Sequence, residues 1–377
     1  MGKHRKAAPF WAGLFAMFAC VWAGGVPAMG EEAPQPGWEC GAKAAVVMDA
    51  GSGRVLYEKN AHEPLPMAST TKILTALLTL EQENLDEWFR VDAQAIRVEG
   101  SSMGLREGDE VTLRALAYGM LLPSGNDAAN AAAVRIAGSL EGFAQLMNER
   151  AQELGMSESH FVTPSGLHDP GHYASAYDMA LLARHALENP DFAAICGQSS
   201  AQVSFGQPPY PRWLKNHNRL LREYPGTVGV KTGFTDAAGR CLVSCVQRGA
   251  VRLICVTLNC PDDWNEHRKL YDFYFEALQM QDFSGSLEDI TLPVAGGVRT
   301  GVSAKAAGSV EAAVLAGETP QVRIIGTPLL FAPVKKGQAL GEIQVYSGDV
   351  LLAQTPLVAA ETVERRPDPP KRFLGLF

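Results

Sequence analysis

Positive charge is in short supply in this chain. Lysine and arginine total 33 against 41 aspartates and glutamates, giving a formal net charge of −8. No basic run exists to neutralise phosphates, which excludes a nucleic-acid surface. CxxC spacing is absent, and His168-Asp169-Pro170-Gly171-His172 sits in a turn-like segment, so no metal site is expected. No internal repeat or long low-complexity tract is present. The apolar stretch from about Phe10 to Ala23 is shorter than the ~20 residues of a spanning helix.

What is present is ordinary for a globular protein: 46% hydrophobic and 20% charged residues over 377 positions. That length buries at least one large core and suits two domains. The first thirty residues differ. Lys3, Arg5 and Lys6 precede the apolar stretch, and Ala28-Met29-Gly30 offers small residues at a cleavage site before Glu31-Glu32. This pattern reads as a secretory signal peptide over 1–30, hence an exported protein. Cys20 lies in a poor lipid-attachment sequence. Cys40, Cys196, Cys241, Cys245, Cys255 and Cys260 remain, an even count that permits disulfides without saying which. Buried thiols are the plainer expectation, with Cys241 and Cys245 on one face of a strand.

Residues 42–59 read as a hairpin, and a helix is expected from about Ser69 to Gln82 on the periodicity of Ile73, Leu74, Leu77, Leu78 and Leu80. From about 112 to 190 the chain reads as mostly helical, with Thr112 as a cap and Leu121-Leu122-Pro123 as a stop. Val228 to Thr232, Arg240 to Gln247 and Val251 to Leu258 read as strands, followed by a helix from about Asp262 to Leu278. The expected fold is α/β (α+β): an antiparallel five-stranded sheet flanked by helices, interrupted by a helical insertion. After about Phe283, short apolar runs between Gly, Pro and Asp suggest a small all-β domain. The expected division is 1–30, 40–280, 284–362, and a Pro/basic tail with a short apolar end over 363–377.

Three motifs carry the chemistry. Ser69-Thr70-Thr71-Lys72 puts a hydroxyl and an amine on the same face of a helix start, where free N–H groups favour negative charge. Serine needs a neighbouring base, and Lys72 serves only if burial and a nearby cation lower its pKa from the usual ~10.4. Lys231 can supply that charge. Ser124-Gly125-Asn126 follows the helix stop; its hydroxyl can pass a proton, and its amide can bind a peptide carbonyl. Lys231-Thr232-Gly233, near a strand end, offers an ammonium and a hydroxyl to a carboxylate. The N–H groups of Ser69 and Phe234 can form an oxyanion hole. Each triplet alone is commonplace, but all three occur in the context their chemistry requires.

With these motifs the sequence resembles the low-molecular-mass penicillin-binding D-alanyl-D-alanine carboxypeptidases, a serine peptidase family with a β-lactamase/transpeptidase-like catalytic domain. The likeness runs through Pro66 to Ile73, Leu121 to Ala129 and Gly229 to Thr235, and includes Gly166-Leu167-His168-Asp169 and Pro261-Asp262-Asp263-Trp264. It implies Ser69 as nucleophile, Lys72 as base and Ser124 as proton relay, with Asn126, Lys231, Thr232, Gly233 and Phe234 binding substrate. The implied substrates are peptidoglycan stem peptides ending in D-Ala-D-Ala, cleaved outside the cytoplasm at the cell wall or the outer face of the cytoplasmic membrane. β-Lactams are the implied acylating inhibitors, and no cofactor is implied. Phe234 departs from members that carry histidine there. The end, Lys371 to Phe377, is far shorter than the family's amphipathic helix. That leaves peripheral membrane contact and a merely sticky tail as alternatives.

Competing readings are D,D-endopeptidase action on cross-links, a class A-type β-lactamase, and an inactive wall-binding protein. The second expects an ExxLN glutamate between the second and third motifs, and none occurs. The third conflicts with intact Ser69, Lys72, Ser124 and Lys231.

Overall fold

The computed structural model of the chain describes residues 33–287 and 290–367. The expected leader, Cys20 and the apolar end lie outside the described residues. Two compact units divide the described residues: one lies within 33–281 and 313–318, the other within 282–312 and 319–367.

The larger unit is built on a sheet whose strands are buried on both faces. Its strands are β1 (Ala44–Asp49), β2 (Val55–Lys59), β7 (Thr227–Thr235), β8 (Gly239–Arg248) and β9 (Val251–Leu258), joined after α1 (Lys72–Leu80), β3 (Phe89–Arg90), β4 (Glu110–Val111), α2 (Leu113–Leu121), α3 (Asn126–Ala137), α4 (Leu140–Glu153), α5 (Ala176–Ala186), α6 (Pro190–Cys196), β5 (Ser200–Gly206), β6 (Pro209–Lys215) and α7 (Leu220–Glu223). The sheet order is β2-β1-β9-β8-β7, antiparallel throughout. Strand alternation sorts the side chains into two cores. Ala44, Val46, Met48, Cys241, Val243, Cys245, Ile254 and Val256 face the inserted helices. Ala45, Val47, Leu242, Val246, Leu253 and Cys255 face α8 (Asp263–Ala277), which contributes Leu270, Tyr271 and Tyr274. Cys241 and Cys245 share a face, as their spacing predicts. All six described cysteines are buried free thiols.

Thr112 caps its helix as expected, and Ser139 and Ser175 cap theirs in the same way: each side chain accepts from the backbone N–H three residues on. The first helix differs from expectation. Ser69 lies in a 3-10 turn, Ala68–Thr71, and the α-helix begins at Lys72. The cause is local: Thr70 and Thr71 hydroxyls donate back to Met67 O (2.6 Å) and Ala68 O (2.8 Å), and Ala68 is left-handed at φ +49°. A second difference is the β5–β6 hairpin, which buries Ala201, Phe205 and Leu214 and joins β4 and β3 in a four-stranded sheet. Pro208, Pro209 and Pro211 crowd it and mask any strand periodicity.

The segment 313–318 belongs to this unit. Leu315 enters the α8-side core, and Glu318 accepts both arms of Arg54 at 3.0 and 2.6 Å. The smaller unit follows β10 (Leu278–Asp282) and holds β11 (Thr291–Ala295), β12 (Gly301–Ala306), β14 (Gln321–Gly326), β15 (Leu330–Phe331), β16 (Ala339–Ser347) and β17 (Val350–Ala359); β13 (Glu311–Leu315) starts in this unit's residues and ends in the 313–318 segment. Six of these strands form one sheet, β14-β16-β17-β12-β11-β15, over Val302, Leu340, Ile343, Val345 and Leu357. Among the described residues no helix is long and apolar enough to cross a membrane.

Candidate active site

Several segments converge on one cleft of about 470 Å³ in the larger unit. Its wall includes Ser69, Ser101, Ser124, His217, Arg219, Thr232, Gly233, Phe234, Arg240, Asp263 and Trp264. The 3-10 turn brings Ser69, the α2–α3 loop brings Ser124 in a left-handed conformation (φ +63°), and β7 brings Thr232 to Phe234. Because β7 is an edge strand, its free side can meet the turn. The approach is close: a Cβ on Gly233 would lie 3.0 Å from Ser69 N and Met67 O and 3.1 Å from Thr70 N. Only glycine fits there without displacing backbone.

Beneath the cleft floor lies Lys72, fully buried. Its Nζ is 2.9 Å from Ser69 Oγ, 2.7 Å from Asn126 Oδ1 and 2.6 Å from Ser165 O. Two of those partners are carbonyls, which only accept. A neutral amine would spend its two hydrogens on them, leaving its lone pair toward the Ser69 hydroxyl. Burial drives the Lys72 pKa well down, and the charge of Lys231 pushes the same way, against the pull of Asp127. Lys231 is itself buried, its Nζ donating to Thr232 O at 2.8 Å, and burial brings its pKa down to about 7.

Asn126 is engaged at both ends, its Nδ2 donating to Glu99 O at 2.7 Å while Oδ1 receives Lys72. Asp127, next to it, anchors the 101–105 loop by accepting from Met103 N (2.9 Å), Ser102 Oγ (2.6 Å), Gly104 N (3.1 Å) and Leu105 N (3.0 Å). Phe234 is 63% exposed at the mouth. Around the rim, Arg240 donates to Asp263 Oδ1 at 2.8 and 3.1 Å.

All eight residues singled out in the sequence therefore lie in the cleft wall or in the buried cluster under it. Sequence reasoning missed Ser165, whose contribution is a backbone carbonyl, Ser101, His217 and Arg219, which reach the cleft from other segments, and Arg240, which pairs with Phe234 across the β7–β8 hairpin. His172, flagged in the sequence only as a doubtful metal ligand, instead hydrogen-bonds Thr71 and two backbone N–H groups.

This arrangement is a serine beside a buried amine of lowered pKa, next to a strand edge that carries a lysine and a hydroxyl. Residues 29–262 match the family model for D-alanyl-D-alanine carboxypeptidase, and residues 286–365 match that for the penicillin-binding protein 5 C-terminal domain. The chain belongs to the D-alanyl-D-alanine carboxypeptidase family. It is 32% identical over 342 residues to the D-alanyl-D-alanine carboxypeptidase DacF of Bacillus subtilis, covering 86% of each chain. It is 34% identical over 343 residues to DacC of Escherichia coli, covering 86% of this chain and 84% of that one. Among solved structures, penicillin binding protein 5 from Haemophilus influenzae superposes with a TM-score of 0.70 at 26% identity, covering 88% of this chain and all of the other. Family membership makes the chain a serine hydrolase of peptidase type.

Proposed function

We propose that this chain removes the terminal D-alanine from peptidoglycan stem peptides, with Ser69 as the acylated residue. The observation that carries the assignment is the Lys72 amine, buried, 2.9 Å from Ser69 Oγ and otherwise held by two carbonyl acceptors. In the forward step Ser69 Oγ attacks the carbonyl carbon of the penultimate D-alanine, and its proton passes to Lys72 Nζ. The N–H groups of Ser69 and Phe234 receive the developing oxyanion. Collapse breaks the peptide C–N bond, and the proton travels through Ser124 Oγ to the departing amine. Water then attacks the acyl-serine and gives up its proton to Lys72, which returns it to Ser69.

Lys231 and Thr232 take the substrate's terminal carboxylate, and Gly233 lets the peptide backbone lie along β7. Asn126 offers its amide to a substrate carbonyl. Penicillins acylate Ser69 in place of the peptide. The basic-then-apolar N-terminal segment supports export to the wall, and the Pro/basic tail supports a weak peripheral membrane contact. The boundaries 1–30, 40–280, 284–362 and 363–377 are proposed as leader, catalytic domain, β domain and tail.

Incubation with diacetyl-Lys-D-Ala-D-Ala should release free D-alanine, and mass mapping after penicillin should place the adduct on Ser69. Penicillin bound elsewhere, or none bound by active protein, contradicts the assignment. Release from cross-linked dimers with none from linear peptide would favour endopeptidase action.

A further inference from the structure

A segment outside the three motifs holds the nucleophile turn. His172 is buried, with Nδ1 2.9 Å from Val162 N and 3.3 Å from Thr163 N. A backbone N–H only donates, so Nδ1 carries the lone pair and the ring proton sits on Nε2. Nε2 is 2.8 Å from Thr71 Oγ1, which is also 2.8 Å from Ala68 O. The Nε2–H therefore donates to the Thr71 hydroxyl, and that hydroxyl donates to the Ala68 carbonyl. The result is a one-way chain from the 162–163 backbone to the residue before Ser69.

The same loop touches the turn twice more. Gly166 (φ +80°) lies so close that a Cβ there would be 2.0 Å from Ala68 O and 2.7 Å from Thr71 Oγ1. Ser165 O accepts from Lys72 at 2.6 Å, and Pro164 O accepts from Thr75 Oγ1 at 2.6 Å. The nucleophile's turn and the amine's acceptor are thus tied to one support, with His172 as the link.

We propose that His172 is a positioning residue for acylation: acting through Thr71, it locks the left-handed Ala68 turn that aims Ser69 to the loop that orients Lys72. The inference rests on the reading of Ser69 and Lys72 given above. His172 touches neither the nucleophile nor the cleft, so its effect is on geometry. Burial keeps the ring neutral, its pKa brought down to about 4; His160, Lys72 and His168 reinforce this and Asp169 opposes it. A neutral ring is what the chain of donors requires, since protonated Nδ1 would face two N–H groups.

Thr71→Val removes the hydroxyl while keeping the shape, and Thr71→Ser keeps the hydroxyl. In full-length protein, Thr71→Val and His172→Gln should each slow penicillin acylation of Ser69 about tenfold or more. D-alanine release should fall through kcat, with KM within about twofold. Thr71→Ser should recover to within about threefold of the parent, and the Thr71→Val/His172→Gln double variant should be little slower than either single one. Should a His172 variant fail to fold, the Thr71 pair decides. Parental acylation rates in Thr71→Val, equal losses in Thr71→Val and Thr71→Ser, or fully additive losses in the double variant each overturn the inference. A parent protein that takes no adduct on Ser69 overturns the underlying assignment, and the inference with it; parental acylation retained in every variant overturns the inference alone.

Discussion

Gly233 on β7 packs tightly against Ser69: a Cβ there would lie 3.0 Å from the Ser69 backbone nitrogen, so the backbone would have to give to admit a methyl group. The edge strand and the Ser69 turn are thus in backbone contact, and the proposed oxyanion pocket would depend on that spacing. Gly233→Ala should push β7 off the turn and misplace the donors. Loss of one such donor typically costs roughly 2.7–4 kcal/mol in transition-state stabilisation. The acylation rate should therefore fall by about a hundredfold or more while the melting temperature moves little. Unchanged acylation would remove Gly233 from the site.

Lys231 lowers the pKa of Lys72 through its charge. Replacing it by glutamine removes that push, so Lys72 should hold its proton to higher pH. The rising limb of the acylation pH profile should shift to the alkaline side in Lys231→Gln. A limb that stays put or moves to lower pH would show that the two amines are not coupled.

Asp127 has a mixed role. Its charge raises the pKa of Lys72, yet its carboxylate accepts the 101–105 loop and Ala128 N. Asp127→Asn replaces an acceptor oxygen with a donor facing N–H groups. Leaving one such buried group unpaired costs about 1–3 kcal/mol. Urea denaturation should show a loss of that order, with Asn126 and Lys72 displaced and turnover reduced. Full stability in Asp127→Asn would contradict the anchoring role.

Two buried histidines make stability depend on pH. Burial brings His172 down to about 4 and His267 down to about 3, against 6.5 for the free side chain. Between those values the unfolded chain binds protons that the folded chain does not, so stability rises with pH across the window and falls as the solution is acidified below 6.5. From pH 7 to pH 5 each should remove on the order of 2 kcal/mol. Urea titrations at the two pH values measure this, and equal midpoints with equal slopes would contradict it.

The eight motif residues were legible because each motif is local: three-residue spacing on a helix start, a loop after a helix stop, a strand end. What holds them together is not local. Lys72 reaches Ser165 across 93 residues and Thr71 reaches His172 across 101. Nothing in either segment names its partner, and Ser165 acts through a carbonyl that any residue carries. The five-stranded sheet was readable from its buried runs, whereas the β5–β6 hairpin puts only Ala201, Phe205 and Leu214 into the core and leaves Tyr210 and Trp213 exposed among three prolines, a weak strand signal. The 3-10 turn at Ser69 escaped helical periodicity because threonine hydroxyls and Gly166 set it.

Nitrogen-15 NMR of lysine-labelled protein, with the Lys72 signal assigned by its loss in Lys72→Met, measures the ionisation on which acylation turns. An uncharged amine at pH 7, beside a Ser69 that reacts with penicillin, is the predicted result. An ammonium that titrates near the ordinary lysine value of about 10.4 in reactive protein would mean that some other group takes the serine's proton.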